Sequence, residues 1–268
     1  MKWRYWSLLG LALLSVGSWA ECELKVGVVP QFEQRKLLET WQPILAELET
    51  RLHCQLQLVG SEGIPDFEEG FAAGAYDIAY MNPYHALVAY DTQGYIPVLR
   101  SGSAMLQGVL VVRNDSDITS LEQLDGRVVA FPSPNALGAS LLMRAELKGR
   151  FGIDIVPRYV KTHPSVYLHV IKGLAAAGGG VQRTLSEQPD DIQARLKTIY
   201  KTRQVPAHPL VVHPRLGQAM RLNIQQALLA LAAERPELFA EIPMRDPIAS
   251  SVADYDGVRE LHLENFQD

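Results

Sequence analysis

Short apolar runs alternate with longer stretches of helical period along almost the whole chain, and that alternation constrains the fold more than any other feature. Residues 25–29 form one such run. They are followed by Leu37, Leu38, Trp41, Ile44, Leu45, Leu48 and Leu52 at helical spacing, and then by a second run at 56–59. A change from strand-like to 3.6-residue periodicity and back is the signature of a βαβ unit. Pro43 sits inside the helical stretch and has no backbone donor, so a bend is predicted there. The rhythm continues with a helix near 66–74, a strand over 77–80, a helix over 83–92 and a strand over 95–100. Strands this apolar are buried between helices in mainly parallel sheets.

A second cycle follows: a strand at 108–113, a short helix at 121–124, a strand at 127–131 and a helix from Asn135 to about Arg150. Beyond it come a strand at 155–160, a helix at 164–172, an Ala/Gly-rich run at 174–180, another helix and a strand at 196–201. The triplet Gly178-Gly179-Gly180 lacks the Gly-Lys-Ser/Thr ending of a phosphate loop and the spacing of a dinucleotide fingerprint, so it reads as a flexible turn. Residues 205–212 then lead into an apolar-periodic helix at 215–233 that returns to the first unit. The expected class is α/β in two lobes, each a mainly parallel sheet flanked by helices. Residues 21–104 plus 205–268 make lobe one and 105–204 lobe two, with hinge crossings near Ser103 and Gln204.

The first 20 residues have the parts of a secretory signal: Lys2 and Arg4 in front, an apolar stretch at 8–16, and Ser18-Trp19-Ala20 at the cleavage site. The apolar stretch is shorter than the roughly 20 residues that a spanning helix needs. Export to the periplasm puts Cys22 and Cys54 in an oxidising compartment, where a pair becomes a disulfide. Each cysteine precedes a strand-like run, and adjacent parallel strands would bring the two together. With 25 Lys and Arg against 30 Asp and Glu, and no basic block, nothing supplies the surface that nucleic acid requires.

Two loops stand out as sites. The segment 131–140 is a strand end, a proline-stiffened loop with Ser133 and a capping Asn135, and a helix start whose small residues, Ala136, Leu137 and Gly138 among them, let a ligand approach unpaired N–H groups. An ordinary capped helix has the same pattern. The segment 80–85 offers Tyr80, Asn82, Tyr84 and His85 at another strand end, where ligands bind in open α/β sheets. Core tyrosines and a turn are the plainer reading. His85, His163 and His208 could face one cleft, but follow no short metal-ligand spacing. They read as hydrogen-bonding groups, with no metal and no cofactor. Catalytic elbows and zinc-protease motifs are missing, and a Ser133, His163, Asp77 triad has no support in the pattern.

In combination, Val26-Gly27-Val28-Val29-Pro30, Trp41-Gln42-Pro43-Ile44-Leu45, Asp77-Ile78-Ala79-Tyr80, the run 109–116, Ser133-Pro134-Asn135 and Val205-Pro206-Ala207-His208-Pro209 resemble the phosphate/phosphite/phosphonate periplasmic substrate-binding family. The resemblance implies a two-lobed type II (Venus-flytrap) fold. It also implies a small-molecule ligand at the interlobe cleft and a monomeric receptor for an inner-membrane ABC permease. A ligand-sensing partner of a membrane histidine kinase and a periplasmic enzyme are the alternative functions. His163 matches the family's lobe-two histidine. Where phosphonate binders carry Ser/Thr hydroxyls this chain has Ala136, Leu137 and Gly138, and where they carry an acidic anchor it has Ala175. The implied solute is therefore smaller, less charged or more apolar than an aminoalkylphosphonate. N-terminal sequencing of the exported protein is expected to begin at Glu21; a start at Met1 contradicts the signal reading.

Overall fold

The structure, a computed structural model, describes residues 22–266; the secretory signal lies outside the described residues. Strand β1 (Glu23–Val28) pairs in parallel with β2 (Gln55–Val59) on one side and with β3 (Ile78–Tyr80) on the other. Helix α1 (Gln34–Leu52) makes the first crossover and buries Leu37, Trp41, Ile44, Leu45, Leu48 and Leu52. It stays one helix through Pro43. Proline is exposed there, so the carbonyl it leaves without a donor can be met by water. Helices α2 (Ile64–Ala72) and α3 (Pro83–Gln93) complete the next crossovers, leading to β4 (Ile96–Ser101).

The chain then enters β5 (Met105–Arg113), β6 (Val128–Phe131), a π-turn at Leu137–Leu141 running into α4 (Leu142–Phe151), β7 (Val156–Tyr159) and α5 (His163–Ile171). Next come β8 (Ala177–Val181), α6 (Gln182–Ser186), α7 (Asp190–Gln193) and β9 (Leu196–Pro206). Strand β10 (Leu210–Val212), helices α8 (Gly217–Glu234) and α9 (Pro236–Ala240) and strand β11 (Pro247–Ala249) return to the first sheet. The two sheets run β11-β4-β10-β3-β1-β2 and β7-β6-β8-β5-β9. Most strands of each sheet point one way, while β10 and β5, the strands that follow the crossings, run antiparallel to both neighbours.

Cys22 and Cys54 are bonded, with Cα atoms 4.5 Å apart at the paired starts of β1 and β2. Closing a loop of 32 residues contributes about 3 to 4 kcal/mol by chain entropy.

The Gly178-Gly179-Gly180 run is not the flexible turn the sequence implies. It is the middle of β8, fully buried and paired to β5 and β6. Glycine is needed because the neighbours come too close: a Cβ at Gly178 would meet the Val166 side chain, at Gly179 the Ala139 carbonyl, and at Gly180 the Tyr167 hydroxyl. Gly179→Ala is expected to cost more than about 3 kcal/mol in urea unfolding. Gly257→Ala, where a methyl meets nothing within 4 Å, should be neutral or stabilising by up to about 1 kcal/mol.

Candidate functional site

Two short links join the sheets, residues 102–104 and 207–209. Both are tied to the first sheet's side. The Ser101 hydroxyl accepts from Ala104 N at 2.9 Å, and Ser103 donates to Asp246 at 2.8 Å. Tyr255 donates to the Ala207 carbonyl at 3.2 Å, and Met81 N to the Pro209 carbonyl at 3.2 Å. Between the sheets the apolar core is continuous: Leu106, Ala136, Leu137, Leu141, Leu142, Val181 and Val205 belong to the same buried cluster as β1, α1 and β3.

Polar bonds cross this interface at its edge, from Lys36 to Glu187 and from Arg183 to the Glu241 carbonyl, and beside the cavity from Asn82. Asn82 caps α3, its Oδ1 accepting from His85 N at 2.8 Å, while its Nδ2 donates at 3.1 Å to the Asn135 carbonyl in the loop after β6. His85, buried behind Asn82, places Nε2 2.8 Å from Glu68 Oε1. His163 opens α5 behind the Thr162 cap, with Nδ1 3.2 Å from the Thr184 hydroxyl. His208 lies in the second link and stacks on Tyr80, ring centroids 5.4 Å apart.

Around these groups is a cavity of about 10 Å³ in the closed arrangement, room for about one water. Of the expected site residues, Asn82, Ala136, Leu137, Gly138 and His163 line it. Tyr80, Tyr84, His85, Ser133 and Asn135 do not. Tyr80 supports His208 from behind, His85 holds Asn82, and Asn135 contributes only its backbone carbonyl. The expected helix start at Asn135 is also displaced. The π-turn begins at Leu137 after Ala136, and the Asn135 side chain caps nothing, its Oδ1 buried without a partner.

Ala175 is remote from the cavity, packed in a small cluster with Ala130 and Val166. Gln31, Leu106, Val181 and His208 also line the cavity, His208 being one of the three histidines expected to face one cleft. Of these only His208, set in the crossing segment, had a sequence signal. Asp77 is held by the Lys25 amide at 2.7 Å and the Arg215 guanidinium at 2.6 Å, so it orients neither histidine nor serine. Among the described residues no group of three His, Cys, Asp or Glu could hold a metal ion, and no helix is long and apolar enough to cross a membrane.

Burial dominates the electrostatics. Desolvation lowers His163 from 6.5 to about 4. His208 falls to about 3, first through desolvation and then through His85, His163 and Arg183 nearby. Both imidazoles are thus neutral at pH 7. Desolvation raises the Tyr80 hydroxyl far above its usual value, and that hydroxyl has no partner.

Two sheets joined by paired crossings, with a cavity enclosed between them, define a Venus-flytrap binding protein. The chain matches, over residues 26–255, the family model described as ABC transporter, phosphonate, periplasmic substrate-binding protein, and it belongs to that family. A phosphate-import protein of Mycolicibacterium smegmatis is 22% identical over 89% of this chain and 84% of its own length. The binding-protein component of a phosphonate ABC transporter from Pseudomonas aeruginosa superposes with a TM-score of 0.82 at 17% identity, over 90% of this chain and 86% of that one. A Prochlorococcus marinus relative solved with methylphosphonate gives 0.82 at 16% identity, over 91% and 98%.

Because the folded pKa values of His163 and His208 lie below 6.5, their neutral forms favour the fold. Stability from this source is complete above about pH 6.5 and is lost as pH falls toward 4 and then 3. The melting temperature should drop more steeply between pH 6.5 and 4 in the wild type than in a His163→Gln/His208→Gln variant. Equal slopes would contradict the assignment.

Proposed function

We propose that this protein is a monomeric receptor that captures a small phosphonate-related solute in the periplasm, in the cavity between a lobe of residues 21–104 plus 205–268 and a lobe of residues 105–204. It delivers the solute, unaltered, to an inner-membrane ABC permease. The observation that carries the reading is the cavity's double origin. Asn82 and His208 come from one side and Leu137, Gly138 and His163 from the other, so a solute held there holds both lobes. Differential affinity for the closed state is then what the solute supplies.

The lining contains no Lys, Arg, Asp or Glu. Donors are left to the side-chain amides of Gln31 and Asn82, the neutral imidazoles and the N–H groups at the start of the 137–151 helical segment. Methyl and methylene surface from Leu106, Ala136, Leu137 and Val181 faces the same space. Oxygen acceptors on a small apolar substituent fit this lining, whereas an ammonium group has no carboxylate to meet. The relative solved with methylphosphonate holds a solute of that kind. Since the cavity takes about one water here, the lobes must part for loading and close around a bound solute less tightly than in this structure.

In calorimetry of the mature protein, methylphosphonate is expected to bind at least about tenfold tighter than 2-aminoethylphosphonate. Asn82→Ala and His163→Ala should each weaken it about tenfold, the loss of one hydrogen bond to a charged partner. Tight 2-aminoethylphosphonate binding that persists in both variants would overturn the reading, as would recovery of a chemically altered solute.

A further inference from the structure

We infer that residues 261–266 form a clasp between the lobes, which holds the tightly closed state and has to yield before a solute can enter. The segment leaves lobe one on a firm footing. Tyr255 and Val258 are buried in the core, and α10 (Asp256–Arg259) is pinned to α3 by two bonds from Arg259 to Asp91, at 2.8 and 3.1 Å. His262, with φ at 49°, then turns the chain through the left-handed region. One 3-10 turn follows at Leu263–Phe266, tied down by the Asn265 side chain, which donates to the His262 carbonyl at 3.1 Å.

From Glu260 to Phe266 the apolar side chains are Leu261, Leu263 and Phe266. All three dock: Leu263 is buried in the core that runs between the lobes, and Leu261 and Phe266 pack against it half-buried. Phe266 also reaches α4, which belongs to lobe two. Its ring comes within 3.9 Å of where a Cβ on Gly149 would stand. Leu142, Ala145 and Gly149 share one face of α4 by their helical spacing, and the first two pack into or against the same core. That face therefore looks toward lobe one, and it is bare of side chain where Phe266 lands. Glu264 lies beside Tyr84 in the first turn of α3. The Tyr84 hydroxyl is raised above its ordinary value by burial first, and then by the Glu264 and Glu68 carboxylates. The strap thus passes the same end of α3 whose cap, Asn82, bonds across to Asn135.

A contact anchored on one lobe and landing on the other acts only in the closed arrangement. Parting the lobes draws α4 away from α10, and dispersion attraction fades over a gap of about 1 Å. Opening also returns the Phe266 ring and the facing stripe of α4 to water, which is unfavourable. The strap therefore stabilises this closed state and no other. The cavity in this arrangement takes about one water. On the solute reading proposed above, the clasped state is one that the solute cannot occupy, so apparent affinity is reduced by the fraction of molecules that are clasped. The strap is autoinhibitory: it sets how readily the receptor opens to load.

Spin labels on exposed Arg35 and Lys172, one on each lobe, read the clasp directly in the mature protein with no solute added. Phe266→Ala is expected to raise the ratio of open to closed molecules about tenfold, the shift that half-burying one aromatic ring supplies. Gly149→Leu puts a side chain where the ring lies and should open the lobes likewise, although it favours α4 itself. Leu38→Ala removes an apolar side chain that is 48% exposed on α1, and should leave the distances unchanged. Methylphosphonate should associate with the Phe266→Ala protein about tenfold faster than with the wild type. An unchanged distance distribution in either Phe266→Ala or Gly149→Leu, or slower methylphosphonate association in Phe266→Ala, would overturn the clasp. Failure of methylphosphonate to bind either protein would sink the solute reading instead, because the label distances are measured without it.

Discussion

Two three-residue links set what the rest of this molecule can do. Residues 102–104 and 207–209 are too short to form an independent linker, and each feeds directly into an antiparallel strand inside a sheet. Strand β5 lies between β8 and β9, and β10 between β3 and β4. Any relative motion of the lobes must therefore be absorbed by those few residues. The bonds from Ser101, Ser103, Tyr255 and Met81 fix where bending can occur. A cleft facing such a hinge can only open or close.

What closes it is mostly apolar. Leu106, Leu137 and Val181 join the core of the first lobe, and Asn82 supplies the single directional bond in the middle. Burial keeps His163 and His208 neutral, so no fixed charge stands in the central cavity. Charge is pushed to the rim, in the Lys36, Glu187 and Arg183 cluster that ties the lobes at the edge. An uncharged centre leaves specificity there to shape and hydrogen bonding.

The strand and helix alternation was legible because period carries that information, whereas the second crossing, expected near Gln204, falls at 207–209 because β9 continues through Gln204 to Pro206. The Cys22 to Cys54 bond followed from two cysteines at the heads of neighbouring strands. Gly178 to Gly180 was not legible. A glycine triplet reads as a turn until one knows that Val166, Ala139 and Tyr167 approach the strand too closely for any Cβ. The site was half legible for a related reason. Asn82, Leu137, Gly138 and His163 sit at strand and helix ends, where ligands bind, but Leu106 and Val181 reach the cavity only through the tertiary crossing of β5 and β8. Tyr80, His85 and Asn135 have the right chemistry and turn out to support the lining residues from behind.

Hinged closure about the two links is tested most directly by the distance between spin labels on exposed Arg35 of α1 and exposed Lys172 after α5, one on each lobe. With saturating methylphosphonate the distribution should narrow to a single distance slightly longer than in this structure, whose cavity takes about one water, and without it a second, more open population should appear. An identical distribution with and without the solute would contradict a protein that works by closing.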